Sequence, residues 1–308
     1  MKKILILIII LLNFSCSNDS INDDINSEIE SPNKINLKIN GLKTTENITK
    51  ISSFFSCDRD LRVSVRSKSN NVTADLLVIS LTKEGELKYV YFADKSGNFR
   101  QDYFSLDFIP SSTITISEFE FINNTKLKFK FSGQVFKRKH NFLEPNETID
   151  IEGSVEINKF SESRCNTFVN YMILNDNIKF SNIRRINQNN QQNLVVSYNG
   201  TSLNGYNIVL NNLNQNLMEM PIGTYSFSNN SITEKIEFRK YIGMPKSFST
   251  RFLIPADWIV YETQGNFSII EKTTINGTQV VKLKLNFTAT YNGTVEYTFT
   301  NSDFITAY

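Results

Sequence analysis

Residues 126–136 read KLKFKFSGQVF and residues 148–157 read TIDIEGSVEI. In the first stretch Leu127, Phe129 and Phe131 alternate with Lys126, Lys128 and Lys130. In the second, Ile149, Ile151, Val155 and Ile157 alternate with acidic and hydroxyl side chains. Successive side chains of a strand point to opposite faces, so a period of two with charge on one face marks a half-buried antiparallel strand. KINLKIN from Lys34 and DLRVSVR from Asp60 repeat the pattern. The denser runs DLLVISL (75–81) and LKYVYFA (87–93) are expected nearer a sheet centre. Hairpin turns are expected at Glu84 and Gly85, Ser96 and Gly97, Asn199 and Gly200, Asn276 and Gly277, and Asn292 and Gly293. Glycine and asparagine accept the positive φ such turns need. The best helical candidate, NNLNQNLMEM from Asn211, is a turn or two at most. The expected fold class is all-β.

The pattern occurs twice. Residues 119–136 (FEFINNTKLKFKFSGQVF) and 147–157 (ETIDIEGSVEI) are echoed by residues 267–299, FSIIEKTTINGTQVVKLKLNFTATYNGTVEYTF. Each copy runs from an alternating strand through a polar turn to a Lys-Leu-Lys strand, then to Gly-x-Val-Glu. Two tandem antiparallel β-sandwich or flattened-barrel domains are therefore expected, at residues 33–163 and 166–308, with the seam near FSESRCNTF (160–168). An internal duplication accounts for the echo; convergence of two similar β-meanders is the alternative. The chain length of 308 residues also suits two cores better than one.

The N-terminus reads MKKILILIIILLNFSCSNDS. Lys2 and Lys3 precede an unbroken aliphatic run at residues 4–12. A helix of that length rises only about half the ~30 Å hydrocarbon core of a bilayer, so the run fits a signal peptide rather than a permanent span. Its end, Asn13, Phe14, Ser15, Cys16, resembles the lipobox of bacterial lipoproteins, in which a small residue precedes a cysteine that is lipidated and becomes the first mature residue. Ser15 fits; Asn13 and Phe14 depart from the usual filling, and a plain signal peptide with a free Cys16 is the competing reading. The resemblance implies a signal peptide at 1–15, fatty-acyl (palmitate-type) chains on Cys16, and an anchor strong enough to hold the protein at a membrane. Residues 16–32 carry Asp19, Asp23, Asp24, Glu28 and Glu30 with no basic side chain, as expected of a solvated, flexible tether. Acidic residues just after the cysteine resemble the surface-export signal of Bacteroidota lipoproteins, and Ser17 resembles outer-membrane sorting. An outer-membrane, outward-facing location is expected. Asp19, Ser20 and Ile21 also resemble that phylum's O-glycosylation motif.

Without residues 1–15, which carry only Lys2 and Lys3, basic and acidic side chains balance at 31 each. That balance argues against a nucleic-acid partner. The one basic run, Lys137, Arg138, Lys139 and His140, lies between strand-like segments and reads as a solvated hairpin tip. The recurring Asn-x-Ser/Thr triplets read as chance in an asparagine-rich bacterial chain.

GTYSF (223–227), GNFSI (265–269) and the Lys-Leu-Lys strand resemble a group of uncharacterised Bacteroidota cell-envelope lipoproteins. The likeness covers most of residues 166–308 and, more faintly, 33–163. It implies an all-β fold and supplies no catalytic residue.

The chemistry-bearing inventory is sparse. His140 is the only histidine, and its neighbours are cationic, so it lacks the carboxylate that orients a catalytic imidazole. Cys57 and Cys165 cannot by themselves complete a structural zinc shell, and the acidic stretches at 22–24 and 58–60 lack the spacing and glycine of a calcium loop. No phosphate-cradling glycine loop occurs, and no cofactor is expected. Paired glycosidase-type carboxylates meet in space rather than in sequence, so nothing singles out a pair. Among 24 Phe, 12 Tyr and 1 Trp, the residues Tyr89, Tyr91, Tyr103, Trp258 and Tyr261 are the candidates for stacking on sugar rings; core filling is the alternative. With Cys16 lipidated, Cys57 and Cys165 form one pair in a compartment that permits disulfides, and a bridge tying the start of the first domain to its end is expected. Two separate buried thiols are the alternative. The functional expectation is a non-catalytic, membrane-tethered binding or adhesion module whose partner is a glycan or an envelope protein. An accessory subunit pairing through an edge strand is the second reading, and a hydrolase with unlocated carboxylates the third.

Overall fold

The computed structural model describes residues 33–44, 48–56, 60–69, 72–94, 100–123, 125–137, 147–163, 170–175, 177–180, 182–190, 193–243, 255–275 and 277–307. The first sheet contains β1 (Lys34–Ile39), β2 (Leu42–Lys43), β3 (Ile48–Ser56), β4 (Asp60–Ser69), β5 (Val72–Thr82), β6 (Leu87–Asp94), β7 (Gln101–Phe104), β8 (Ile114–Ile122), β9 (Lys126–Lys137), β10 (Thr148–Ile157) and β11 (Ser161–Ser163). The second contains β12 (Tyr171–Leu174), β13 (Ile178–Phe180), β14 (Asn182–Asn190), β15 (Asn193–Thr201), β16 (Tyr206–Leu213), β17 (Gly223–Phe227), β18 (Lys235–Tyr241), β19 (Trp258–Ile275), β20 (Thr278–Tyr291) and β21 (Thr294–Ala307). The strand order is β11-β3-β4-β5-β6-β7-β9-β10-β1-β2 in the first, with β8 also on β9. In the second it is β13-β12-β21-β20-β19-β18-β16-β15-β14, with β17 also on β19. Apart from β11, which runs parallel to β3, the described pairings are antiparallel. The all-β fold of two sheets is the one the alternation calls for.

The sequence echo has a counterpart in topology. Each sheet opens with a short hairpin, β1–β2 or β12–β13, whose first strand pairs with the last strand of a closing meander. That meander is β8-β9-β10 in one and β19-β20-β21 in the other, and the Lys-Leu-Lys motif occupies the middle strand of both. The second sheet curls until β14 comes alongside β12, so it is close to a closed barrel.

Each sheet encloses its own core. Leu61, Leu77, Ile79, Phe92, Phe129 and Val155 are buried in the first, and Tyr198, Phe238, Phe267, Leu283 and Phe304 in the second. Fully burying such a side chain contributes roughly 1.5–3 kcal/mol. The alternating lysines face outward: Lys130 bonds Glu118 at 2.6 Å, Lys38 bonds Glu152 at 2.7 Å and Lys284 bonds Asp303 at 2.7 Å. Exposed pairs of this kind are worth only about 0.2–1 kcal/mol, so the inward face drives the fold. Residues 76–81 of β5 are buried on both faces, as expected of a central strand.

Of the expected turns, those at Glu84 and Gly85 and at Asn292 and Gly293 are present, and one other is not. Gly85, Gly277 and Gly293 have φ of +89°, +79° and +77° between paired strands. Asn199 and Gly200, expected to turn, instead lie inside β15. A Cβ on Gly200 would sit 3.2 Å from Ile208 and 3.3 Å from Phe180, so this glycine serves close packing under neighbouring side chains. The reversal comes at residues 202–205, where Ser202 Oγ accepts the Tyr206 N–H and Gly205 adopts φ +88°. Ser96, Gly97 and Asn276 lie outside the described residues.

Candidate functional site

Cys16, Cys57 and Cys165, the lipidation and disulfide candidates, lie outside the described residues, as do Arg138, Lys139 and His140. Lys137 closes β9, where its ammonium meets Glu147 at 2.7 Å. Among the described residues no group of three or more His, Cys, Asp or Glu side chains could hold a metal ion. None of the described helices is long and apolar enough to cross a membrane.

The five candidate stacking aromatics do not share one platform. Tyr103 is buried in the first core. Tyr261 is buried in the second, its hydroxyl donating to Glu296 at 2.8 Å. Tyr91 donates to Asp102 at 2.9 Å, and the Arg100 guanidinium lies 5.5 Å from its ring centre. Tyr89 shares the outer face of β6 with Tyr91 and is 37% exposed. Trp258 packs edge-on against Phe108 (4.8 Å) and Tyr241 (5.2 Å). Since Phe108 belongs to the first half of the chain, this triad is one place where the two halves meet. Core filling therefore describes Tyr103 and Tyr261, and a seam describes Trp258.

Burial pushes the Tyr241 phenol up to about 12, reinforced by Asp257 and then Asp107. Burial and a hydrogen bond with Tyr297 push Tyr206 to about 12 as well. Both lie above the phenol value of 10 expected of the unfolded chain. Between these values the unfolded chain gives up protons that the folded chain keeps, so stability is intact below pH 10 and falls as pH rises toward 12. Denaturant midpoints taken on either side of pH 10 should show this decline, and Tyr241→Phe should reduce its steepness.

One open depression of about 530 Å³ is formed by the second sheet. It opens where β19 exchanges partners: β18 pairs with it through Tyr261, and β17 pairs with it from Gly265 onward. Three features shape it. Gly265 lets β19 press against β20, since a Cβ there would lie 2.2 Å from the Asn286 carbonyl oxygen. Asn286 on β20 faces a bulge in β21, where the register slips between Leu285 and Phe287. Asn301 in that bulge has φ +53°, and its N–H donates to Asn286 Oδ1 at 2.8 Å. Such bulges bend a strand and re-aim its side chains. Phe227, Phe287 and Phe299 lie beneath, buried. The rim is Ser228, Gln264, Asn286, Thr288, Thr298 and Thr300, all neutral hydrogen-bonding groups. Gln264, Thr288 and Thr298 stand in one register row across three strands.

No motif in the sequence marks these residues. A signal existed: outward positions of β20 change from Lys282 and Lys284 to Asn286 and Thr288 midway along the strand. Comparison of the chain with models of protein families, with characterised proteins and with solved structures found no match.

Proposed function

We propose that the chain is a lipid-anchored, non-catalytic binding or adhesion module of a bacterial cell envelope, held at the outer membrane by Cys16 and facing outward. The placement rests on the basic start, the short aliphatic run and the cysteine at its exit, followed by an acidic tether. The observation that carries the binding role is the open depression. Its lining holds amides, hydroxyls and aromatic rings but no carboxylate, imidazole or thiol, which suits recognition and not acid–base chemistry. In cells given a clickable fatty acid, the wild type should be labelled and Cys16→Ser should be unlabelled and released from membranes. Label persisting on Cys16→Ser would sink the anchor, and resistance to proteinase K on intact cells would place the protein on the inner leaflet.

The accessory-subunit reading has one observation in its favour. The sheet ends β2, β11 and β13 are two or three residues long, whereas β14 at the fourth end has nine. Although β14 curls alongside β12, among the described residues its only strand partner is β15, and a long strand paired on one side offers backbone groups to another chain. Exposed Arg184 and Arg185 on β14 oppose indiscriminate pairing. A stable outer-membrane protein co-purifying through β14 would favour this reading.

A further inference from the structure

We propose that the depression on β19, β20 and β21 takes neutral carbohydrate; this rests on the reading of the chain as a binding module. The chemistry of the rim selects the ligand class. Gln264, Asn286, Thr288, Thr298 and Thr300 each carry groups that donate and accept hydrogen bonds, as sugar hydroxyls also do. With no cation in the lining, a phosphate or carboxylate gains no charge-assisted bond there, and with no anion an ammonium group gains none. Threonine adds a methyl beside each hydroxyl, matching the mixed C–H and O–H surface of a sugar ring.

Geometry adds a second argument. Gln264, Thr288 and Thr298 are register partners on adjacent strands, so their polar groups repeat at about 4.8 Å across the sheet. A linear glycan lying across the strands would meet one such group per strand. The depression is open to solvent, so a chain can pass over it without being enclosed. Asn286 is already oriented by the Asn301 N–H, which leaves its amide N–H₂ to donate. The buried rings of Phe287 and Phe299, 4.7 Å apart, hold the floor rigid, so little ordering is required on binding.

The test uses the full lipidated chain in detergent, run through gels containing dextran, laminarin or mannan as neutral probes and polygalacturonate as the anionic one. At least one neutral probe should retard the protein. Gln264→Ala and Thr298→Arg should each weaken that interaction roughly tenfold or more while the unfolding midpoint stays put. Equal retardation of wild type and both variants would move the site elsewhere and overturn the assignment. Retardation by polygalacturonate alone, or by no probe, would overturn the ligand class. Capture of outer-membrane vesicles by the immobilised protein separates the two levels. Capture lost after periodate treatment of the vesicles, and kept after protease, supports carbohydrate. Capture lost after protease alone keeps the binding module and rejects the sugar, and no capture at all rejects both.

Discussion

Unfolded without reductant, the chain should yield no alkylatable thiol at Cys57 or Cys165, and its tryptic digest should contain the two cysteine peptides joined. Both residues lie outside the described part of the structure, but the strands leading to them are described. β11 runs parallel to β3 with Ser161 opposite Phe54, Glu162 opposite Phe55 and Ser163 opposite Ser56. Paired strands lie about 4.8 Å apart. In sequence Cys57 follows Ser56 by one residue and Cys165 follows Ser163 by two, and a disulfide requires a Cα separation of ~4.4–6.8 Å. Parallel pairing matters here, because it brings Ser56 and Ser163, the last described residues before the two cysteines, to the same end of the strand pair. The bridge would close a loop of 108 residues, whose restriction in the unfolded chain is worth roughly 4–5 kcal/mol. Reduction, or Cys57→Ser with Cys165→Ser, should lower stability by an amount of that order, read from urea midpoints. Alkylation of both thiols in the unfolded, unreduced protein would refute the bridge.

Phe238→Ala should cost about 3–5 kcal/mol, the range for removing a fully buried aromatic side chain. Phe238 on β18 is wholly buried and touches five rings: Tyr206 (5.6 Å), Tyr261 (5.6 Å), Phe287 (6.2 Å), Tyr297 (5.5 Å) and Phe299 (5.1 Å). Those rings come from β16, β19, β20 and β21, whose backbones are fixed by pairing, so the cavity cannot close by local collapse. Ile232→Ala, at a side chain 82% exposed, should change stability by no more than about 0.5 kcal/mol and serves as the control. With residues 33–163 and 166–308 proposed as separate folding units, the loss should fall on one of two unfolding transitions. An equal shift of both transitions would mean that the halves unfold together.

Period-two alternation made the strands legible because side-chain direction along a strand is a local property. Lys126, Lys128 and Lys130 against Leu127, Phe129 and Phe131 needed no partner to be read, and neither did the turn at Asn292 and Gly293. The sequence also determined the doubled plan, since the Lys-Leu-Lys strand recurs at the middle of each closing meander. The fate of Asn199 and Gly200 was not local: the same dipeptide that turns at 292–293 stays extended at 199–200 because Phe180 and Ile208 pack over it. Nor did the aromatics reveal their roles, as Tyr103 and Tyr261 differ from Tyr89 only in which face of a sheet they occupy. The depression depended most on tertiary structure. Gln264, Thr288 and Thr298 become neighbours only through the register of three strands, and that register turns on a bulge at Asn286 and the missing side chain of Gly265. A one-residue slip would carry the whole row to the opposite face, so the site exists only once long-range pairing has set the register.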